Sequence, residues 1–142
     1  MEKAFHFDCP AEPYKADACV LSCFDYRFST AVRKFLRRSG IEIFDHIQIP
    51  GSAKTLVSPE RESDRDFVMD MIRTSVRLHA PQRMLLFGHN ECGAYPGQAP
   101  ELIAADVVKA AEMVRAAALG IGVECYFCDF DGVYRIEAAR GA

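Results

Sequence analysis

The chain has 142 residues, half of them hydrophobic, and its 17 basic and 20 acidic side chains give a formal net charge of −3. This length predicts one domain, residues 1–142, and the composition excludes a disordered chain. The balanced charge argues against a nucleic-acid partner, and the longest charge-free apolar stretch, 116–123, is too short to span a membrane. Residues 1–17 carry acids and a proline where a secretory signal would be apolar, so we expect a short N-terminal arm and a cytoplasmic protein.

The first third of the chain predicts a strand, a helix and a second strand. The apolar run Ala18–Ser22 is typical of a strand buried on both faces. The helix that follows has one apolar face and one solvated basic face, which carries Arg33, Lys34, Arg37 and Arg38. Residues 41–49 place isoleucines at a period of two, which predicts a strand that ends at Pro50.

A polar loop and a second helix come next. Residues 52–62 have the composition of a loop. Ser63 is a candidate N-cap for a helix that turns Phe67 and Val68 inward and ends before Pro81.

The last part of the chain adds a strand, a helix and a hairpin. Residues 84–87 predict a third buried strand, and Pro100 opens an alanine-rich helix that extends to Leu119. Residues 123–130 and 133–136 predict a hairpin. The alternation predicts an α/β fold of three layers, with helices on both faces of a mostly parallel sheet and an antiparallel strand at its edge.

Two of the predicted strands lead into polar clusters that can hold a metal. Cys23 follows the first strand, and His89 and Cys92 follow the third. Ligands of parallel sheets bind beyond the carboxyl ends of the strands, so if these strands are neighbours, two thiolates and an imidazole converge, a donor set that suits zinc. Asp25 and Arg27 are spaced to lie beside the same ion, where the arginine keeps the carboxylate ionised.

The segments VLSCFDYR at 20–27 and LLFGHNECGA at 85–94 resemble the two zinc motifs of the β-class carbonic anhydrases. The order of the predicted strands and helices is also similar to that family, from about residue 18 to residue 137. The resemblance implies a parallel sheet of strand order 2-1-3-4 with an antiparallel edge strand. It also implies a homodimer or a larger homo-oligomer.

The same resemblance implies one Zn²⁺ per chain, bound by Cys23, His89 and Cys92. Asp25, held by Arg27, would accept a hydrogen bond from zinc-bound water or become the fourth ligand in a closed state. The implied activity is the reversible hydration of CO2 to bicarbonate by zinc-bound hydroxide, that of a carbonate dehydratase acting on a small molecule, with no nucleic-acid or membrane partner.

Three further residues are candidates for substrate binding: Gly51, Gly93 and Tyr26. Family members carry an Arg-Asn-x-Gly-Asn-like stretch after the second strand, whereas this chain has QIPGS at 48–52, which keeps the glycine alone. This departure leaves open a non-catalytic protein that holds zinc for stability or for anion binding. A second alternative is an enzyme whose hydroxide attacks a CO2-like substrate such as carbonyl sulfide.

A redox alternative rests on Cys125 and Cys128. Residues three apart in a strand face opposite sides of a sheet, which argues against a shared metal or disulfide. Structural roles suit the other two cysteines outside the predicted metal site. We expect Cys9 to be a surface or edge thiol and Cys19 a core residue.

Three more side chains have a chemical and a plainer interpretation. His46 and His79 could relay protons, but histidines at such positions are more often hydrogen-bonded or solvated. Glu91, between two candidate ligands, is either an acceptor that orients the site or a solvated loop carboxylate.

Overall fold

The computed structural model describes residues 1–117 and 119–137. Five strands and four helices follow one another in these ranges: β1 (Ala18–Ser22), α1 (Tyr26–Arg38), β2 (Phe44–Gln48), α2 (Lys54–Val57), α3 (Glu62–His79), β3 (Arg83–His89), α4 (Pro100–Ala116), β4 (Gly122–Asp129) and β5 (Gly132–Arg135). Across the same ranges, no helix combines the length and the apolar character that a membrane span requires.

One sheet of strand order β2-β1-β3-β4-β5 organises these elements. The first four strands pair in parallel, and β5 pairs antiparallel with β4. The predicted α/β fold, its strand order and its antiparallel edge strand are therefore confirmed. Because β1 and β3 are neighbours, with Leu21 opposite Leu86, the segments that follow them emerge at the same edge of the sheet.

Alternate side chains of the sheet pack into two cores. Leu21 and Leu86 face helices α2, α3 and α4, whereas Val20 and Leu85 face helix α1. All four side chains are fully buried. The two faces make the three layers that the alternation of elements predicts, and their packing fixes where β1 and β3 end.

Strand β2 is shorter than the prediction of 41–49. It covers Phe44–Gln48, and Ile43 is 49% exposed. The Asp17 carboxylate accepts hydrogen bonds from the backbone N–H groups of Glu42 and Ile43, so these amides bond to a side chain instead of a neighbouring strand. A period of two in apolar residues is thus not sufficient to define this strand.

The predicted loop at 52–62 contains the short helix α2. Its Leu56 is fully buried in the core shared with α3 and α4. Helix α3 starts at Glu62 with Arg61 at the N-cap, so Ser63 is not the cap. Val68 of α3 is buried as predicted, whereas Phe67 is 65% exposed and does not face inward.

Candidate metal centre

The ends of β1 and β3 bring three candidate ligands together. Cys23 lies one residue beyond β1, His89 is the last residue of β3, and Cys92 lies in the turn that follows. Their ligand atoms all lie within 4.8 Å of one another. His89 and Cys92 are buried and Cys23 is half-buried, so the group is largely removed from water.

The imidazole of His89 is oriented for metal binding. Its Nδ1 is 2.7 Å from the carbonyl oxygen of Asn90, which fixes that nitrogen as the N–H donor. Its Nε2 is buried and has no hydrogen-bond partner among the described residues. Buried polar atoms are normally hydrogen-bonded. An unpartnered imidazole nitrogen beside two thiols therefore fits a metal ion, and a Cys2His donor set is one that zinc accepts.

The sulfurs of Cys23 and Cys92 shift each other's pKa in opposite directions. A hydrogen bond from Cys92 holds the pKa of Cys23 below its usual range, and the resulting thiolate raises the pKa of Cys92. Burial alone would lower the pKa of His89, but the nearby Cys23 sulfur and the Asn90 carbonyl outweigh burial and raise it. The opposite shifts favour a single thiolate shared between the two sulfurs, and thiolate is the form that binds metal.

Gly51 closes one side of this group with its backbone. The backbone N–H of Gly51 lies near the sulfurs of Cys23 and Cys92 and lowers the pKa of each. Its φ is +74°, and a Cβ at this position would lie 2.8 Å from the Cβ of Ala94. A side chain does not fit, so the position requires glycine for both backbone conformation and close approach.

Asp25 and Arg27 form a rigid pair at the start of α1. Asp25 caps the helix by accepting the Arg27 N–H at 3.0 Å. The guanidinium donates to the same carboxylate, with Nη2 2.8 Å from Oδ2 and Nε 3.1 Å from Oδ1. These bonds lower the pKa of Asp25. Its Oδ2 lies 4.0 Å from His89 Nε2, so an ionised carboxylate stands beside the candidate ligands.

Glu91 connects the arginine to the turn between the ligands. Arg27 Nη2 donates to the Glu91 carbonyl oxygen at 3.1 Å, and Nη1 lies 3.5 Å from the Glu91 carboxylate. Glu91 has a φ of +50°, an unusual conformation for a residue with a side chain. Arg27 therefore ties helix α1 to the turn that carries Cys92.

An open cleft of about 570 Å³ leads to the group. Its wall includes Gly51 and Gly93 from the set of candidate substrate-binding residues. Tyr26 has 87% of its surface exposed and is not part of this wall. Lys54 and Glu60 do line it, although neither is a sequence candidate because 52–62 has the composition of a loop.

The two other candidate histidines are not among the three candidate ligands. His79 pairs with Asp45 at 2.8 Å, near the amino ends of the parallel strands. His46 Nε2 is 2.7 Å from the Ser22 hydroxyl, and burial lowers the pKa of this histidine to about 4. Neither histidine is part of the three-ligand group.

The other cysteines have the surroundings expected of structural thiols. Cys9 is exposed and Cys19 is fully buried. Cys125 packs in the core under α4, whereas Cys128 packs in the core under α1. The two residues of the Cys-x-x-Cys pattern therefore face opposite sides of the sheet, as strand geometry predicts.

A family model described as "Putative carbonic anhydrase" matches residues 14–137. The chain belongs to this carbonic anhydrase family. No curated protein matches it in sequence.

Solved structures of carbonic anhydrases share the fold. The β-carbonic anhydrase isoform I of Trichomonas vaginalis aligns with a TM-score of 0.65 at 14% identity, over 92% of this chain and 87% of that one. Tetrameric β-carbonic anhydrases of Sordaria macrospora align at 0.62 and 12% identity, over 88% and 82%. The apo form of a carbon disulfide hydrolase aligns at 0.55 and 13% identity, over 86% and 79%. At these identities the likeness concerns the fold.

Proposed function

We propose that this carbonic anhydrase family member is a zinc enzyme that catalyses the reversible hydration of CO2 to bicarbonate. The observation that supports it most directly is the buried, unpartnered Nε2 of His89 beside the sulfurs of Cys23 and Cys92. These three side chains would hold one Zn²⁺ per chain. A bound zinc ion supplies Lewis-acid chemistry that makes hydroxide available near neutral pH.

The chain's own groups would prepare this site in two ways. The backbone N–H of Gly51 lowers the pKa of both thiols and so stabilises negative charge on the sulfurs. The carbonyl of Asn90 fixes the His89 tautomer, so Nε2 is the nitrogen available to the metal.

Asp25 would handle the proton of the attacking water. Its carboxylate is ionised and held by two hydrogen bonds from the Arg27 guanidinium, so it accepts a hydrogen bond in a fixed direction. In a closed state the same carboxylate would become the fourth zinc ligand. Arg27 acts through Asp25 and is therefore a positioning residue.

The decisive measurement is zinc content together with the rate of CO2 hydration as pH is varied. We expect one zinc per chain and a rate that rises with pH. Asp25→Asn should keep the zinc and lose most of the activity. Full zinc occupancy without CO2 hydration at any pH would contradict the proposal and leave a non-catalytic zinc protein.

One comparison favours a second substrate class for the same site. The fold is shared with a carbon disulfide hydrolase. Carbon disulfide, carbonyl sulfide and CO2 are linear molecules with an electrophilic carbon, so one hydroxide can attack all three. A panel of these substrates separates the candidates by comparing kcat/KM values.

We also propose a homo-oligomer. Phe24 and Phe130, from the segments beside the metal group, are 62% and 60% exposed and offer apolar surface for a contact between chains. The similar fold of tetrameric carbonic anhydrases supports assembly. Light scattering should give a mass of at least two chains, and a monomer at micromolar concentration would rule the assembly out.

A further inference from the structure

Lys54 lies in the wall of the cleft beside the metal group. Its Cβ and Cδ lie 3.1 and 3.6 Å from the position that a Cβ on Gly51 would occupy, so its aliphatic stem packs along the glycine. Its ammonium lies 5.7 Å from the ring centroid of Tyr95. Tyr95 is buried and packs with Cys92. The stem and tip of Lys54 therefore both rest on residues that adjoin the metal group.

The Lys54 ammonium has no carboxylate partner within the described ranges. Besides the Cys23 sulfur, whose negative charge a bound metal would neutralise, the other charged groups of the cleft wall are Asp25 and Glu60. Asp25 is already paired with Arg27 at 2.8 Å, and Glu60 is exposed and forms no ion pair among these residues. A half-buried cation in the wall is thus balanced only by a solvated carboxylate.

This arrangement favours a negatively charged occupant over a neutral one. A small anion gains a Coulombic attraction to a nearby ammonium, whereas CO2 does not. We propose that Lys54 forms a subsite for a small monovalent oxyanion in the cleft wall. If the proposed function holds, on which the identity of the natural ligand rests, that anion is bicarbonate.

Nitrate is a suitable probe because it is a monovalent oxyanion with the trigonal shape of bicarbonate and does not turn over. Nitrate is titrated into the zinc-loaded protein, and binding is followed by the NMR shifts of the Gly51 and Ala94 backbone amides. Lys54→Met keeps the stem that packs on Gly51 and removes the charge. We expect this change to weaken nitrate binding about two- to fivefold, the size of a partly exposed ion pair.

Four further variants make the result specific to the charge of Lys54. Lys54→Arg should restore binding, and Glu60→Gln should tighten it by removing the opposing charge. Lys34→Met makes the same change in net charge on the exposed face of α1 and should leave nitrate binding unchanged. Lys54→Gln serves if the methionine variant does not fold.

Equal nitrate affinity in the wild type and both neutral Lys54 variants would overturn the subsite. The subsite is also overturned if Lys34→Met weakens binding as much as Lys54→Met, since the effect would then be one of overall charge. Because nitrate binding needs no turnover, a protein without CO2 hydration but with Lys54-dependent nitrate binding retains the subsite and loses the proposed function. In an active enzyme, Lys54→Met should also raise the KM for bicarbonate.

Discussion

Two clusters near opposite ends of the parallel strands each place a histidine beside a carboxylate, and they differ in how well they are satisfied. At the carboxyl ends, His89 Nε2 is buried and unpartnered, 4.0 Å from Asp25 Oδ2. Near the amino ends, Asp45 lies 2.8 Å from His79 Nδ1 and also accepts hydrogen bonds from Tyr14 and Ser75 at 2.7 and 2.6 Å.

This difference in hydrogen bonding indicates a binding role for the His89 cluster and a structural role for the Asp45 cluster. The Asp45 cluster joins strand β2, helix α3 and the N-terminal segment, with Tyr14 stacked on His79 at a centroid distance of 4.0 Å. Its hydrogen bonds are satisfied within the chain. The cluster at Cys23 and His89 lacks one partner, which is costly for a buried polar atom unless a ligand supplies it.

The largest effect should come from removing a candidate ligand. Cys92→Ser should lower zinc affinity by more than about a hundredfold, since even changes beyond the direct ligands cost about ten- to a hundredfold. Competition with a chelator measures this, and activity should fall in parallel. Cys9→Ser, which changes an exposed thiol, is the matched control. Unaltered zinc affinity in the Cys92 variant would remove this residue from the site.

The second-largest effect should come from Asp25, whose substitution should lower activity without lowering zinc content. Asp25→Asn keeps the side-chain shape and removes the charge, so we expect kcat/KM for CO2 to fall about a hundredfold or more, as for a lost proton acceptor. Zinc content should remain at the wild-type level. Arg27→Lys should give a smaller loss, because lysine lacks the fork that holds both carboxylate oxygens. A fully active Asp25→Asn variant would refute the proton-handling role.

A substitution in the Asp45 cluster should lower the stability of the protein and leave its activity unchanged. Asp45→Asn replaces a charged acceptor of three side-chain hydrogen bonds and should lower the free energy of unfolding by about 1–3 kcal/mol. Urea unfolding measures the change. Zinc content and activity per folded molecule should stay at wild-type values. A loss of zinc in this variant would erase the distinction between the two clusters.

The smallest effect is the pH dependence of that stability. Burial by itself would raise the pKa of Asp45, but the hydrogen bonds from its three partners outweigh burial and hold the pKa below its usual value of 3.8. The stabilisation by Asp45 is therefore complete above that value and is lost as pH falls through the lower pKa of the folded state. Urea unfolding across acid pH should show a gentler decline for Asp45→Asn than for the wild type. Identical declines would contradict this assignment.

Much of the fold could be predicted from the sequence because its main signals are local. Strand β1 has the predicted bounds, since Ala18–Ser22 is a short apolar run that ends at polar residues. The hairpin of β4 and β5 was predicted from the turn between them. Helix α2 was missed because it has four residues and no side-chain cap, and its burial depends on contacts with α3 and α4.

The side chains that could bind a metal can be identified from local sequence alone, since Cys23, His89 and Cys92 follow two apolar strands at a characteristic spacing. Tertiary structure decided what surrounds them. Because β1 and β3 are neighbours, the ligand atoms of these three candidate residues lie within 4.8 Å of one another. Chain folding also set the backbone of Gly51 against both sulfurs and Lys54 across the cleft. Such contacts join segments distant in the chain, and no local pattern encodes them.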